Sequence, residues 1–183
     1  GIDISMIAAL AVPSGLLLQL VQNGQPLASA ALIALGLALA FGLVNGWLIA
    51  YAEVPSLFTT LASGLFLAGL GQAYFFQLEV VQWPAALDPA AWLGRGAMGG
   101  VPTPVVMFGV VALAMAFFLR RMRAGAFVYA IGDNPFAGRA TGLATRPMVL
   151  LQYVLAALIG LFAGVVMAAS VSSMPTRIFN STM

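Results

Sequence analysis

The chain has 183 residues, is 62% hydrophobic and only 7% charged, and has a mean hydropathy of +1.05 and a formal net charge of +2. That composition lies far outside the range of soluble globular domains and identifies an integral membrane protein. With no Cys and no His it has no disulfide, thiolate site or imidazole chemistry, and with no Lys it cannot supply the lysine of a Walker phosphate-binding loop.

About 20 apolar residues in a helix cross a hydrocarbon core about 30 Å thick, and five such segments are predicted. They are Ile4 to Leu20, Leu27 to Ala50, Leu57 to Phe76, Val105 to Leu119 and Met148 to Ser170. The fourth is short unless it borrows residues 101–104. The fold class is therefore all-α, a polytopic transmembrane helical bundle of about five spans. The chain opens at Gly1 with no initiator Met and no basic leader, and stops in a polar stretch, Met174 to Met183. The expectation is a single transmembrane domain, 1–183, incomplete at both ends.

The first span is broken by Pro13, Ser14 and Gly15; a proline frees a carbonyl, which is tolerated where backbone packs on a neighbour or lines a cavity. Small residues recur every four positions in the second span (Ala38, Gly42, Gly46, Ala50) and in the fifth (Ala156, Gly160, Gly164, Ala168). Such stripes let helix backbones approach closely in lipid, and packing within one subunit is favoured here over homodimerisation. Polar groups at or near membrane depth are Asp3, Asn45, Thr59, Thr60, Ser63 and Gln72. Of these Asn45, Thr59, Thr60 and Ser63 are candidates for lining a pathway, although Ser and Thr in helices commonly bond only to their own backbone. Asp3, at the very start, is expected near an interface.

The segment 77–104 carries Trp83, Trp92, Pro84, Pro89 and several glycines. It is read as an outward, periplasmic loop in which Asp88, Pro89 and Gly94 frame one helical turn on the membrane surface. Such a loop suits a periplasmic partner or simple aromatic anchoring in membrane lipid. Five of the seven Arg fall between Arg120 and Arg146, against Arg95 and Arg177 on the other side. The positive-inside rule then places the loop 120–147 in the cytoplasm, with Tyr51 to Ser56 beside it by alternation. The same rule accounts for a pI near 9.5 without nucleic acid. Within that loop Asp133 and Asn134 suit an N-cap, Pro135 the first helical position and Gly142 the residue after a helix end, so Pro135 to Thr141 is predicted to be a short helix. At about 10 Å long it cannot be stable alone and needs packing.

The run Gly125, Tyr129, Ala130, Gly132, Asn134, Pro135, Ala137, Arg139, Gly142, Leu143 resembles the cytoplasmic coupling motif of the ribose-type branch of bacterial ABC importer permeases. It departs from that motif at Gly138, where the family usually has Ala, and at Leu143, where it usually has Ile. Gly1 to Ser5 (GIDIS) and Val44 to Tyr51 (VNGWLIAY) resemble two further family segments, so the resemblance runs along nearly the whole chain. It implies a bacterial inner (plasma) membrane, multi-pass permease subunit that carries a monosaccharide or polyol delivered by a periplasmic sugar-binding protein. It also implies a second permease subunit, most simply an identical one, and separate ATPase subunits that hydrolyse ATP, with no cofactor, metal or catalytic residue in this chain. Gly132, Asn134, Pro135, Phe136, Ala137, Gly138, Arg139 and Gly142 would then couple to the ATPase. A branched-chain amino acid permease and an ion-coupled secondary transporter are the alternatives; the second usually places ionisable residues within its spans, where this chain has almost none.

Overall fold

The computed structural model describes residues 2–76, 80–133 and 144–175. Five long helices account for most of these residues: α1 (Met6–Gln22), α2 (Leu27–Ala50), α3 (Ser56–Leu70, continued by a π turn over Gly71–Phe75), α5 (Thr103–Arg121) and α7 (Thr145–Val171). Two shorter helices, α4 (Trp92–Arg95) and α6 (Arg123–Asp133), lie between them.

Among the described residues, four helical segments are long and apolar enough to cross a membrane: Leu27–Ala50, Ser56–Phe75, Thr103–Arg121 and Thr145–Val171. Helix α1, with 17 residues, is only about 25 Å long. It is instead the centre of the bundle, with α2, α3 and α7 packed around it and Ala8, Ala9, Ala11, Val12, Leu17 and Leu18 all buried. The predicted break at Pro13 does not occur, because the helix runs through it. Pro13 has no N–H to give the carbonyl of Ala9, and that carbonyl lies against Gly160 of α7, where a missing side chain lets the backbones meet. Ser14, one residue on, donates its hydroxyl to the Leu10 carbonyl at 2.5 Å.

Small residues face inward and large ones outward, the reverse of a soluble bundle. The buried side of α2 is Ala30, Ala34, Ala38, Gly42, Gly46 and Ala50, joined by Phe41 and Asn45, whereas Leu32, Ile33, Leu43, Val44 and Trp47 are exposed. Lipid solvates large apolar side chains as well as protein does, so only close backbone approach gains anything from association. Both predicted stripes are used inside the subunit, but on different partners. Gly42 and Gly46 of α2 meet Tyr153, Val154 and Leu150 of α7, while Gly160 and Gly164 of α7 meet Ala9, Leu10 and Ser14 of α1.

At one end of the bundle the chain forms two short ladders that an all-α reading did not foresee. Strand β1 (Val80–Gln82) pairs antiparallel with β4 (Ser173–Pro175), Val81 opposite Met174, and both side chains are buried over the end of α1. Phe76 completes this roof by laying its ring on Gly15 and Gly71. Strands β2 (Ala97–Met98) and β3 (Val101–Pro102) form a hairpin whose tip, Gly99 and Gly100, has φ of +59° and +83°, the left-handed region that glycine enters freely. In place of the single helical turn predicted around Asp88 and Gly94 there are two short helical segments, a 3₁₀ segment over Ala85–Ala90 followed by α4. Helix α4 docks on the end of α7, where Gly94 lies against Ala169 and Ser170. Helix α5 begins at Thr103, so it gains the two residues before Val105 that its length required.

Candidate functional site

Two polar clusters sit at the opposite end of the bundle, where α1 and α7 begin and α2 ends. The first surrounds the start of α1, whose leading N–H groups have no partner within the helix. Asp3 Oδ1 accepts from the Ser5 N–H at 2.9 Å and from the Ser5 hydroxyl at 2.6 Å. The Ile4 N–H donates to Thr60 Oγ1 of α3 at 3.1 Å, and Asn45 Nδ2 of α2 donates to Ser5 Oγ at 3.3 Å. Three helices are thereby tied to one turn. Asn45 is 1% exposed, and its Oδ1 has no hydrogen-bond partner among the described residues.

Among the four pathway candidates, then, Asn45 and Thr60 are brought together around Ser5. Ser63 donates to the Thr60 carbonyl of its own helix at 3.3 Å, as isolated serines in helices do. Thr59 is buried, and its hydroxyl is unpartnered among the described residues. None of the four lines either of the two cavities described here.

The second cluster joins the α2–α3 turn to the first turn of α7. Arg146 donates from a terminal nitrogen to Glu53 Oε1 at 3.1 Å and stacks its guanidinium 5.6 Å from the centre of the Tyr51 ring. Glu53 holds a φ of 56°, unusual for a residue with a side chain. Beside this bridge is a cavity of about 440 Å³ between the end of α2, α6 and the start of α7; Ser56, Thr145, Gln152 and Tyr153 are among the groups around it. The other cavity, about 270 Å³, is an apolar slot between α5 and α7, with Met107, Phe108, Ile159 and Phe162 on its walls.

Gly132 is exposed on the last turn of α6 and borders the larger cavity. Asn134, Pro135, Phe136, Ala137, Gly138, Arg139 and Gly142 lie outside the described residues, and with them the predicted helix 135–141. Asp133 is the last residue of α6, and its predicted N-cap role, with that of Asn134, falls with the helix outside the described residues. Sequence reasoning also left α6 unassigned, since the whole stretch from Arg120 to Arg146 was read as one Arg-rich loop; the signal available was Gly125, Val128 and Ile131, which recur every third residue and face inward. The Arg146, Glu53 and Tyr51 contact was missed too. The available signal was that both segments were expected on one side of the membrane.

A bundle with small residues within, large apolar residues without and its polar turns gathered at two ends is a polytopic α-helical membrane protein. The whole chain, residues 1–183, matches the family described as branched-chain amino acid transport system / permease component, and it belongs to that family. It is accordingly a multi-pass protein of the inner, or plasma, membrane.

Among its relatives, the ribose import permease protein of Escherichia coli is 32% identical over 174 residues, which is 94% of this chain and 54% of the relative. The fructose import permease protein of Bifidobacterium longum is 29% identical, over 93% of this chain and 48% of the relative. For the galactofuranose transporter permease protein of Escherichia coli the identity is 31%, over 93% of this chain and 49% of the relative. The chain thus spans about half the length of the curated relatives it matches. No solved structure matches it significantly.

Proposed function

We propose that this chain forms part of the membrane pathway of an ATP-driven importer for a monosaccharide or polyol, working with a second permease subunit, two ATPase subunits and a periplasmic sugar-binding protein. The observation that carries the reading is the naming of the three relatives above, all for import or transport of a sugar, at about 30% identity along nearly the whole chain. The family's own description makes a branched-chain amino acid the second reading. An ion-coupled carrier has less in its favour, since the membrane-depth segments hold Asp3 as their only carboxylate.

In this reading ATP is hydrolysed by the separate ATPase subunits, and the Arg-rich end of the bundle faces the cytoplasm. Supporting that orientation, the segments expected inside, 51–56 and 145–146, meet at one end of the bundle, while those expected outside, 80–102 and 173–175, gather at the other. Residues 134–142 would seat on the ATPase dimer, and closure of that dimer would rock the packed helices as rigid bodies.

Two measurements test this. A cysteine at Ala137 in the assembled transporter should crosslink to the ATPase, and Ala137→Asp, which desolvates a carboxylate in an apolar contact, should leave membrane insertion intact but abolish sugar-stimulated ATP hydrolysis. Normal uptake by Ala137→Asp with no crosslink from position 137 would defeat the coupling role. Uptake assays with labelled ribose and labelled leucine separate the two substrate classes.

A further inference from the structure

Helix α7 begins directly beyond the segment proposed to meet the ATPase, and it packs closely on α1 and α2 but only marginally on α3. A displacement arriving at the start of α7 therefore reaches α2 directly, through backbone contact at Gly42 and Gly46, but reaches α3 only indirectly, by way of α1, whose first turn lies against Gly64. Arg146 adds a direct link from α7 to the turn that opens α3. It reaches across to Glu53 and Tyr51, in the turn that leads into α3 at Ser56. The space beside the bridge is a cavity rather than packed side chains, so the guanidinium spans a gap that apolar contact does not close.

Three features indicate that this contact is held in place by its surroundings. Arg146 occupies the first turn of a 27-residue helix, where the macrodipole disfavours a cation unless an anion or a ring compensates it. Pro147 beside it stiffens that turn at a position where a missing N–H costs nothing. Glu53 meets Arg146 from a left-handed backbone, and such conformations cluster at switch and positioning sites.

We propose that Arg146 is a positioning residue that yokes the start of α7 to the α2–α3 turn, so that ATPase closure moves α3 together with α2. This inference rests on the importer reading above. Both side chains of the pair are about half exposed, so its contribution is to direction of movement and only slightly to stability.

The test uses the assembled transporter in proteoliposomes, reading ATP hydrolysis and sugar import separately. Glu53→Gln, a mild surface change, is expected to leave hydrolysis within about 2-fold while lowering import per ATP about 3-fold; Arg146→Glu and Glu53→Arg should each lower it about 5-fold or more, and the exchanged pair should recover to within about 2-fold of the parent. A part that merely stabilises the fold would lower hydrolysis and import together. Unchanged import per ATP in Glu53→Gln and Arg146→Glu, or an exchanged pair no better than either single variant, would overturn the proposal. Absence of ATP-driven uptake in the unaltered transporter would instead refute the importer reading itself, and the yoke with it.

Discussion

Two glycines on one helix, Gly36 and Gly42, should respond in opposite ways to the same methyl group. A Cβ built on Gly42 would stand 2.8 Å from the Tyr153 carbonyl oxygen and from Val154 Cα, whereas nothing lies within 4 Å of one built on Gly36. Ordinary contact begins near 3.4 Å, so Gly42→Ala must separate α2 from α7 by about 0.6 Å. The atoms it meets are backbone and cannot rotate away. Overpacking of this kind costs about 1–3 kcal/mol, set against a gain in helix propensity of at most about 1 kcal/mol. Gly36→Ala keeps that gain and meets no clash.

The assay is reversible unfolding in mixed micelles followed by far-ultraviolet circular dichroism. Gly42→Ala is expected to lose about 1–2 kcal/mol and Gly36→Ala to lose nothing or to gain up to about 1 kcal/mol. Gly46→Ala, whose Cβ would meet Leu150 Cα at 2.8 Å, should behave as Gly42→Ala does. The double variant should cost less than the two together, because one outward shift of α2 relieves both contacts. Equal effects at positions 36 and 42 would refute the claim that the α2–α7 seam is set by backbone approach.

Other tests follow from the ends of the bundle. Because the chain has no native thiol, Val81→Cys with Met174→Cys should form a disulfide on mild oxidation, read as a gel shift reversed by reductant; failure to close would contradict the β1–β4 register. Phe76→Ala should empty the space over Gly15 and Gly71 and cost about 3 kcal/mol, measured by the same unfolding assay, whereas truncating the exposed Phe66 should cost well under 1 kcal/mol. For sidedness, Met98→Cys on the outer hairpin should react with a membrane-impermeant thiol reagent in whole cells, and Arg123→Cys only after permeabilisation. The reverse pattern would overturn the orientation. Gly94 is unsuitable for that experiment, because any side chain there collides with the backbone of Ala169 and Ser170.

The limits of the spans were readable in advance because bilayer thickness imposes them. Leu27–Ala50 is an uninterrupted apolar run that starts after Pro26 and ends one residue before a polar turn, and the helix has those same ends. That the small stripes serve internal contacts was readable as well, since closely spaced glycines in lipid have few other uses. Which helix each stripe meets was not. A membrane helix is apolar all round, so no polar face records its orientation, and Gly42 would suit any neighbour offering bare backbone.

The same reason explains the misreading of Pro13. A proline breaks a helix only where its freed carbonyl has no favourable surroundings, and Gly160, distant in sequence, completes those surroundings. Strands of two or three residues carry no alternating pattern, so the β1–β4 ladder over the end of α1 arises only once α3 and α7 bring residues 80–82 and 173–175 side by side. Composition and hydropathy thus determine on their own that this chain lives in a membrane and where its long apolar helices and polar turns fall, because transfer free energy depends on local sequence alone. The pairing of α2 with α7, the central place of α1 and the meeting of Arg146 with Glu53 across 93 positions of sequence were decided by the tertiary structure, because they depend on which bare backbones and which charges the packed bundle brings within reach.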